Sequence, residues 1–315
     1  MSQDIAAVRA GFEALCGAGA AVVVEREIIS VQGPDAGRYL QGQLSQDVMT
    51  MTAPSAWTFI LQPTGRVDAW FRVHRLADDD FRLEIEPGYA ELLIARLRRF
   101  LIRTKATISE PVPAALIARR WAPATIRLGD DLLDALPGVP VGPGVAGADS
   151  LLVVDHATAR ALLDMVEAPA AALDRYRIAH AVPAMGAELT TDTIPGEAGG
   201  WVIDASVSFT KGCYTGQELV ARIDSRGGNV PKPIRLVVAA DNTFGEGEGP
   251  SVGAEILLDG SPVGRISSSC MSLGDDHPAL ALAPLARAVE FGALVEISDG
   301  DRRHQAVVAE PPAAN

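Results

Sequence analysis

Between Ala21 and Val31 the chain reads AVVVEREIISV, an apolar-rich run that predicts one or two strands. Gly33-Pro34-Asp35 breaks it, and AGRYLQGQL from Ala36 onward reads as a short helix with an acidic start. Trp57–Leu61 and Val67–His74 then flank Pro63-Thr64-Gly65-Arg66, a turn signal of the Pro/Gly type. In the second of these runs Val67, Ala69, Phe71 and Val73 alternate with Asp68, Trp70, Arg72 and His74. That period of two predicts a strand with one face in the core and the other polar. Phe81, Leu83 and Ile85 repeat it after a polar turn at 77–80. From 88 to 101 the period lengthens: Leu92, Leu93, Leu97, Phe100 and Leu101 share one side of a helix, and the arginines fall largely elsewhere. A strand at Lys105–Ile108, a Pro/Gly-rich loop at 137–149 and helical patterns at 156–166 and 169–180 complete this part. Strands in succession with helices packed on them predict an α+β body around an antiparallel sheet.

Beyond Pro231-Lys232-Pro233 the pattern changes. Short apolar runs at Ile234–Ala239, Glu255–Leu258, Val263–Ser267, Ala279–Leu282, Ala293–Ile297 and Gln305–Val308 are separated by Gly, Pro and Asp259-Gly260 turns. Such spacing predicts a small all-β barrel or sandwich. The expected division is 1–230 as the α+β region, with room for two intertwined subdomains, and 231–315 as a C-terminal β-barrel. A length of 315 residues agrees with about two domains.

Composition narrows the function classes. The net charge of −13 repels a long polyanion, so direct nucleic-acid binding is not expected. The Arg96–Arg99 cluster lies on the helical pattern and reads as a solvated face. The three cysteines, Cys16, Cys213 and Cys270, form neither a disulfide framework nor a metal-binding pair. Their reduced state, the charged N-terminal stretch and the lack of an 18-residue apolar run predict a cytoplasmic protein, expected as a monomer.

The stretch richest in chemistry is Lys211-Gly212-Cys213-Tyr214-Thr215-Gly216-Gln217-Glu218. Thr215 and Glu218 have the spacing of a capping box, and Leu219, Val220 and Ile223 give the following helix an apolar face. Gly227-Gly228 supplies its stop. Cys213 is thereby expected just before a helix N-terminus and beside Lys211, where amide dipoles and a cation favour thiolate. Gly212 and Gly216 free the backbone for unusual dihedrals and close ligand approach. Cys16 and Cys270 lack this setting and are read as buried structural cysteines.

KGCYTGQE at 211–218 resembles the signature of the YgfZ family, folate-binding relatives of the glycine-cleavage T protein. The family's mitochondrial relatives are iron–sulfur assembly factors. Gly33–Ala36 with Tyr39–Gln43, and Pro183–Leu189 with Ile194–Glu197, look like two further elements of the superfamily, so the resemblance runs from about residue 20 to the C-terminus. It implies a GcvT-like folate-binding body followed by a β-barrel, with tetrahydrofolate or a derivative as cofactor. Cys213 and Lys211 would carry the chemistry. Glu197, at the superfamily's Pro-x-Glu position, would hydrogen-bond the pterin; read from the loop alone, it is equally a solvated loop acid. Arg222 would face a folate carboxylate, Arg226 would either do the same or belong to an ordinary charged helix face, and Gly212, Tyr214, Gly216, Gln217 and Glu218 would complete the site. One departure stands out: aminomethyl-transferring T proteins carry paired aspartates after an early Gly turn, and here Asp68 stands alone on the polar face of its strand.

Three functions compete at this point. One is a folate-binding accessory protein that assembles, repairs or maintains iron–sulfur enzymes, tRNA-thiolating ones included, with those enzymes or assembly proteins as partners. Another is a tetrahydrofolate-dependent aminomethyl or one-carbon transferase. The third is a cysteine-based carrier or redox protein without folate.

Overall fold

A computed structural model describes residues 4–17, 20–51, 55–118, 127–128, 131–132, 135–136, 150–152, 154–161, 167–240 and 243–311. The expected loop at 137–149 and the end of the expected 156–166 helix lie outside them. Helix α1 (Ile5–Cys16) precedes strand β1 (Val22–Gln32), helix α2 (Ala36–Gln43), strands β2 (Ser55–Leu61), β3 (Val67–Ala77) and β4 (Asp80–Ile85), and helix α3 (Ala90–Arg98). Strands β5 (Thr107–Ile108), β6 (Val112–Ala118), β7 (Arg127–Leu128), β8 (Asp131–Leu132), β9 (Ala135–Leu136) and β10 (Ser150–Leu152) follow. Helices α4 (His156–Ala161) and α5 (Ala170–Ala179), a 3-10 turn at Pro195–Ala198, α6 (Gly200–Ser206) and α7 (Gln217–Asp224) come next.

The body is an antiparallel sheet in the order β2-β3-β4-β1-β6-β10-β9, with β5 paired to β1. Register fixes its two faces. Phe71 opposes Thr58, Val73 opposes Leu83, and Leu83 opposes Ile29, so these share the face that packs α2 and α3. Trp57 opposes Arg72, and Arg72 opposes Glu84, on the other face. That second face is not solvated as the alternation predicts. Trp70, Arg72, His74 and Glu84 are all buried; α5 and the 182–184 segment face Trp70 and Arg72, and Trp201 of α6 meets the Trp70 ring.

Other expectations shift in detail. The strand near 105–108 is reduced to Thr107–Ile108. In α3 Arg96 is buried, whereas Leu92, and Phe100 just past the helix, are exposed. Arg96 turns inward because its guanidinium binds Asp68 at 3.0 Å and the Leu61 carbonyl at 2.9 Å. Asp68 is therefore half-buried and paired, not solvent-facing. Asp35 makes no side-chain cap on α2; it accepts the Lys105 amide at 2.8 Å.

The C-terminal strands are β11 (Ile234–Ala239), β12 (Glu255–Leu258), β13 (Ser261–Arg265), β14 (Ser268–Cys270), β15 (Leu280–Pro284), β16 (Leu294–Asp299) and β17 (Arg302–Ala309). They form one antiparallel sheet, β13-β12-β16-β17-β11-β15-β14. Asp259 and Gly260 both take positive φ, which suits the tight turn between β12 and β13. A bridge from Gly264 to Leu285 brings β13 back to the end of β15, so the sheet curls into a barrel. Only glycine permits that approach, since a Cβ on Gly264 would lie 2.5 Å from the Pro284 oxygen. Val237, Ile256, Ile297 and Val308 fill the barrel, while Leu236 and Leu282 join the core of the body.

Candidate functional site

The KGCYTGQE segment spans the turn from α6 into α7. Val207 caps the end of α6, and the Ser208 amide donates to the Ser45 carbonyl at 3.0 Å. The Lys211 ammonium is half-buried. It donates to the carbonyls of Gln41 at 2.6 Å, Leu44 at 2.6 Å and Gln46 at 3.0 Å, and lies 5.0 Å from the centre of the Tyr214 ring. Burial pushes its pKa down from 10.5 to about 8, and the Asp47 carboxylate pulls the other way. Tyr214 is buried, and burial pushes its phenol up to about 12. Gly212 and Cys213 are exposed between these two anchors.

The capping box does not form. Helix α7 starts at Gln217, and its N-cap is Gly216 at φ +82° with no side-chain cap. The Thr215 amide donates to Gly42, and the Gln217 side chain accepts the Tyr214 amide at 3.1 Å. Contact with the β2–β3 turn decides this: a Cβ on Gly216 would sit 2.5 Å from the Gln62 carbonyl oxygen. Glu218 is exposed, and Cys213 is three residues removed from the N-cap, beyond the first-turn reach of the helix dipole. Gly227 and Gly228 do end the helix with positive φ, and the Gly228 amide returns to the Ile223 carbonyl.

Glu197 is not a solvated loop acid. It is buried, and its carboxylate accepts the Ile194 amide at 3.0 Å and the Lys232 amide at 3.2 Å, stapling the 3-10 turn to the segment before β11. Arg222 and Arg226 are exposed. Cys16 is exposed at the end of α1, so it is no buried structural cysteine. Cys270 is half-buried, with Arg175 Nη1 at 3.5 Å from Sγ; burial raises its thiol, and that arginine acts in the opposite direction.

Sequence reasoning missed a cleft on the second face of the body sheet. About 220 Å3 of space is bounded by Trp57 and Trp70 on β2 and β3, Arg26 and Arg72, Asp174 and Arg177 on α5, and the Val182–Ala184 segment, among others. The Trp57 and Trp70 rings stack at 3.9 Å and 10°, Trp201 meets Trp70 edge-on, and the Arg72 guanidinium covers Trp57 at 4.4 Å. Behind them Glu84 binds Arg26 at 2.9 Å and Arg72 at 3.3 Å, with His74 Nε2 3.5 Å away. Burial acts to raise Glu84, but Arg72, the His74 hydrogen bond and Arg26 outweigh it and hold the carboxyl well below the usual range. The available signal was two tryptophans and an arginine at polar-phase positions of neighbouring strands, a composition unlike an ordinary solvated face.

Two structural threads join cleft and loop. Trp70 Nε1 donates to Ser206 Oγ at 2.9 Å, and Ser45 Oγ donates to the Ser206 carbonyl at 2.6 Å. Ser45 in turn receives the Ser208 amide at the start of the cysteine loop. A covered aromatic cleft and an exposed cysteine thus share one support.

The fold is that of an aminomethyltransferase. The glycine cleavage system aminomethyltransferase T of Bartonella henselae superposes with a TM-score of 0.72 over 97% of this chain and 89% of that one, at 18% identity. No protein-family model matches. A tRNA-modifying protein YgfZ from Edwardsiella ictaluri is 30% identical over 220 residues, 64% of this chain and 65% of that protein. One from Escherichia coli O157:H7 is 27% identical over 306 residues, 84% and 91% of the two chains. An iron-sulfur cluster assembly factor IBA57 homolog, mitochondrial, from Pyricularia oryzae is 29% identical over 223 residues, 67% and 55%. The chain thus spans less than two thirds of two of these three relatives. In sequence it is similar to YgfZ and IBA57 proteins, and in fold to the aminomethyltransferase T. No helix among the described residues is long and apolar enough to cross a membrane.

Proposed function

We propose that this chain is a folate-binding accessory protein for iron–sulfur cluster enzymes, tRNA-modifying ones included, and that it works through Cys213. One observation carries the reading: the Cys213 thiol is exposed at the tip of a loop whose neighbours Lys211 and Tyr214 are drawn into the protein. An accessible thiol on a fixed loop suits contact with a cluster or a partner protein. A single thiolate does not complete a cluster's ligand set, so partner enzymes or assembly proteins supply the rest.

The cleft offers folate a complementary surface. Flat aromatic walls and the adjoining carboxylates of Glu86 and Asp174 suit a pterin ring with N–H donors, and Arg26 and Arg177 suit its acceptors. The space is smaller than the roughly 300–1,000 Å3 of sites that enclose drug-sized ligands. It fits the bicyclic head of a tetrahydrofolate, with the tail outside. Bound there, the group would supply one-carbon chemistry or a redox-active pterin; the chain's own residues bind and orient it and exclude water. Glu197, engaged by two amides, is not needed for this fit. Asp68 is held by Arg96, which gives the aminomethyl-transfer reading no free early carboxylate in its support.

Two assays decide the matter. Titration with tetrahydrofolate should release or absorb heat and raise the melting temperature in the native protein and in Cys213→Ser alike. Cells lacking the gene should lose cluster-enzyme activity, and Cys213→Ser should fail to restore it. Absence of any ligand effect would end the folate part, and full restoration by the serine variant would end the role of the thiol.

A further inference from the structure

The chain has three lysines, Lys105, Lys211 and Lys232. Lys105 and Lys232 are exposed, and Lys211 is not. Its three carbonyl acceptors belong to one short stretch: Gln41 in the last turn of α2, Leu44 as its C-cap, and Gln46 just beyond. The last carbonyls of a helix have no partner within it and carry partial negative charge. An ammonium offers three N–H donors from one nitrogen, the number of acceptors that converge here.

The contact is more than a point. The Gln46 side-chain amide donates to the Ala205 carbonyl at 3.1 Å, Ser208 N reaches Ser45 O, and Thr215 N reaches Gly42 O at 3.3 Å. Residues 205–215 are stitched to 41–46 on both sides of the tip that carries Cys213. Asp47 is the charged group that faces the ammonium from the α2 side, and the Tyr214 ring faces it from the loop's own side.

We infer that Lys211 is a positioning residue for Cys213, capping the carboxyl end of α2 and so fixing the thiol's loop, rather than a cation acting on the thiol. The word positioning rests on Cys213 being the working thiol; the anchor itself does not. Arginine keeps the charge, but its donors lie in a plane and no single nitrogen provides three. Methionine keeps the stem and offers no donor.

Three readouts test this. In the native protein an amine-acetylating reagent should modify Lys105 and Lys232 at least ten times faster than Lys211. Equal rates would overturn the cage even if every variant failed to fold. Amide hydrogen exchange across 208–216 should accelerate at least tenfold in both Lys211→Met and Lys211→Arg. The pH midpoint of Cys213 alkylation should be the same in both variants and the native protein. An arginine variant with native protection, or a methionine variant that moves the midpoint while arginine restores it, would overturn the anchor in favour of a charge effect. If both variants lose protection while Cys213→Ser remains active in cells, the role of the thiol falls and the anchor stands.

Discussion

Trp70 of β3 and Ser206, the last residue of α6, are joined by an indole N–H to hydroxyl bond of 2.9 Å, both groups being buried. The bond ties the cleft wall to the helix that delivers the Cys213 loop. Removing the hydroxyl leaves the indole N–H without its acceptor, at a cost of about 1–3 kcal/mol. Ser206→Ala should therefore lower the unfolding free energy by that amount, read as a lower urea midpoint, and speed exchange of the Ser208 amide. An unchanged midpoint and unchanged exchange would mean that Ser206 supports neither part.

Glu84 gives the protein an acid limit. Its carboxyl is held below the usual range in the folded state, so its contribution is complete above the ordinary value of 4.5 and is lost as pH falls from there toward the folded value. Glu84→Gln should be less stable than the native protein at pH 7 by about 3–5 kcal/mol, because the buried carboxylate charge that Arg26 and Arg72 share is removed. That gap should narrow between pH 5 and pH 3. Urea midpoints that keep a constant separation over this range would remove Glu84 from the acid response.

Gly216 and Gly212 should part company. Gly216 has φ +82° and a Cβ would meet Gln62 O and Leu61 Cβ, whereas nothing lies within 4 Å of a Cβ on Gly212. Gly216→Ala should cost about 1–3 kcal/mol, and Gly212→Ala should remain within about 0.5 kcal/mol of native. Thermal melts of the two variants make the comparison, and similar losses in both would contradict it.

Trp57 should matter to ligand and Cys213 should not. Trp57→Leu removes an aromatic wall whose ring contacts are worth about 0.5–1.5 kcal/mol, so tetrahydrofolate should bind up to about tenfold more weakly. Cys213→Ser, at an exposed site, should bind as the native protein does. Calorimetric titration reads both, and undiminished binding by the leucine variant would move the ligand out of this cleft.

These positions also mark where the sequence stopped being readable. The phase of β3 placed Phe71 and Val73 correctly, because a period of two needs only the strand itself. It could not show that Trp70 and Arg72 are covered too, since α5, the 182–184 segment and Trp201, which face them, lie about a hundred or more positions later. Thr215 and Glu218 satisfied a local capping rule, yet a distant hairpin at Gln62 set Gly216 and overrode it. In the signature itself Cys213 was legible as the distinctive residue, and its glycine and polar neighbours are those of the accessible loop in which it is exposed. The destination of the Lys211 side chain was not, because its three acceptors are backbone atoms, which leave no residue-type signature. The short strands and the Asp259-Gly260 turn of the barrel could be read locally, whereas the Gly264–Leu285 bridge that closes it required the fold.

The stacked pair in the cleft has an optical consequence. Two indoles at 3.9 Å and nearly parallel exchange excitation, so Trp57 and Trp70 absorb and emit as a coupled chromophore rather than as separate rings. Their coupling should produce a split signal in the near-ultraviolet circular dichroism spectrum, and a guest against either ring should alter its sign or size. The wall that would hold a ligand is thereby also an intrinsic reporter of its arrival, requiring no label and leaving Cys213 untouched.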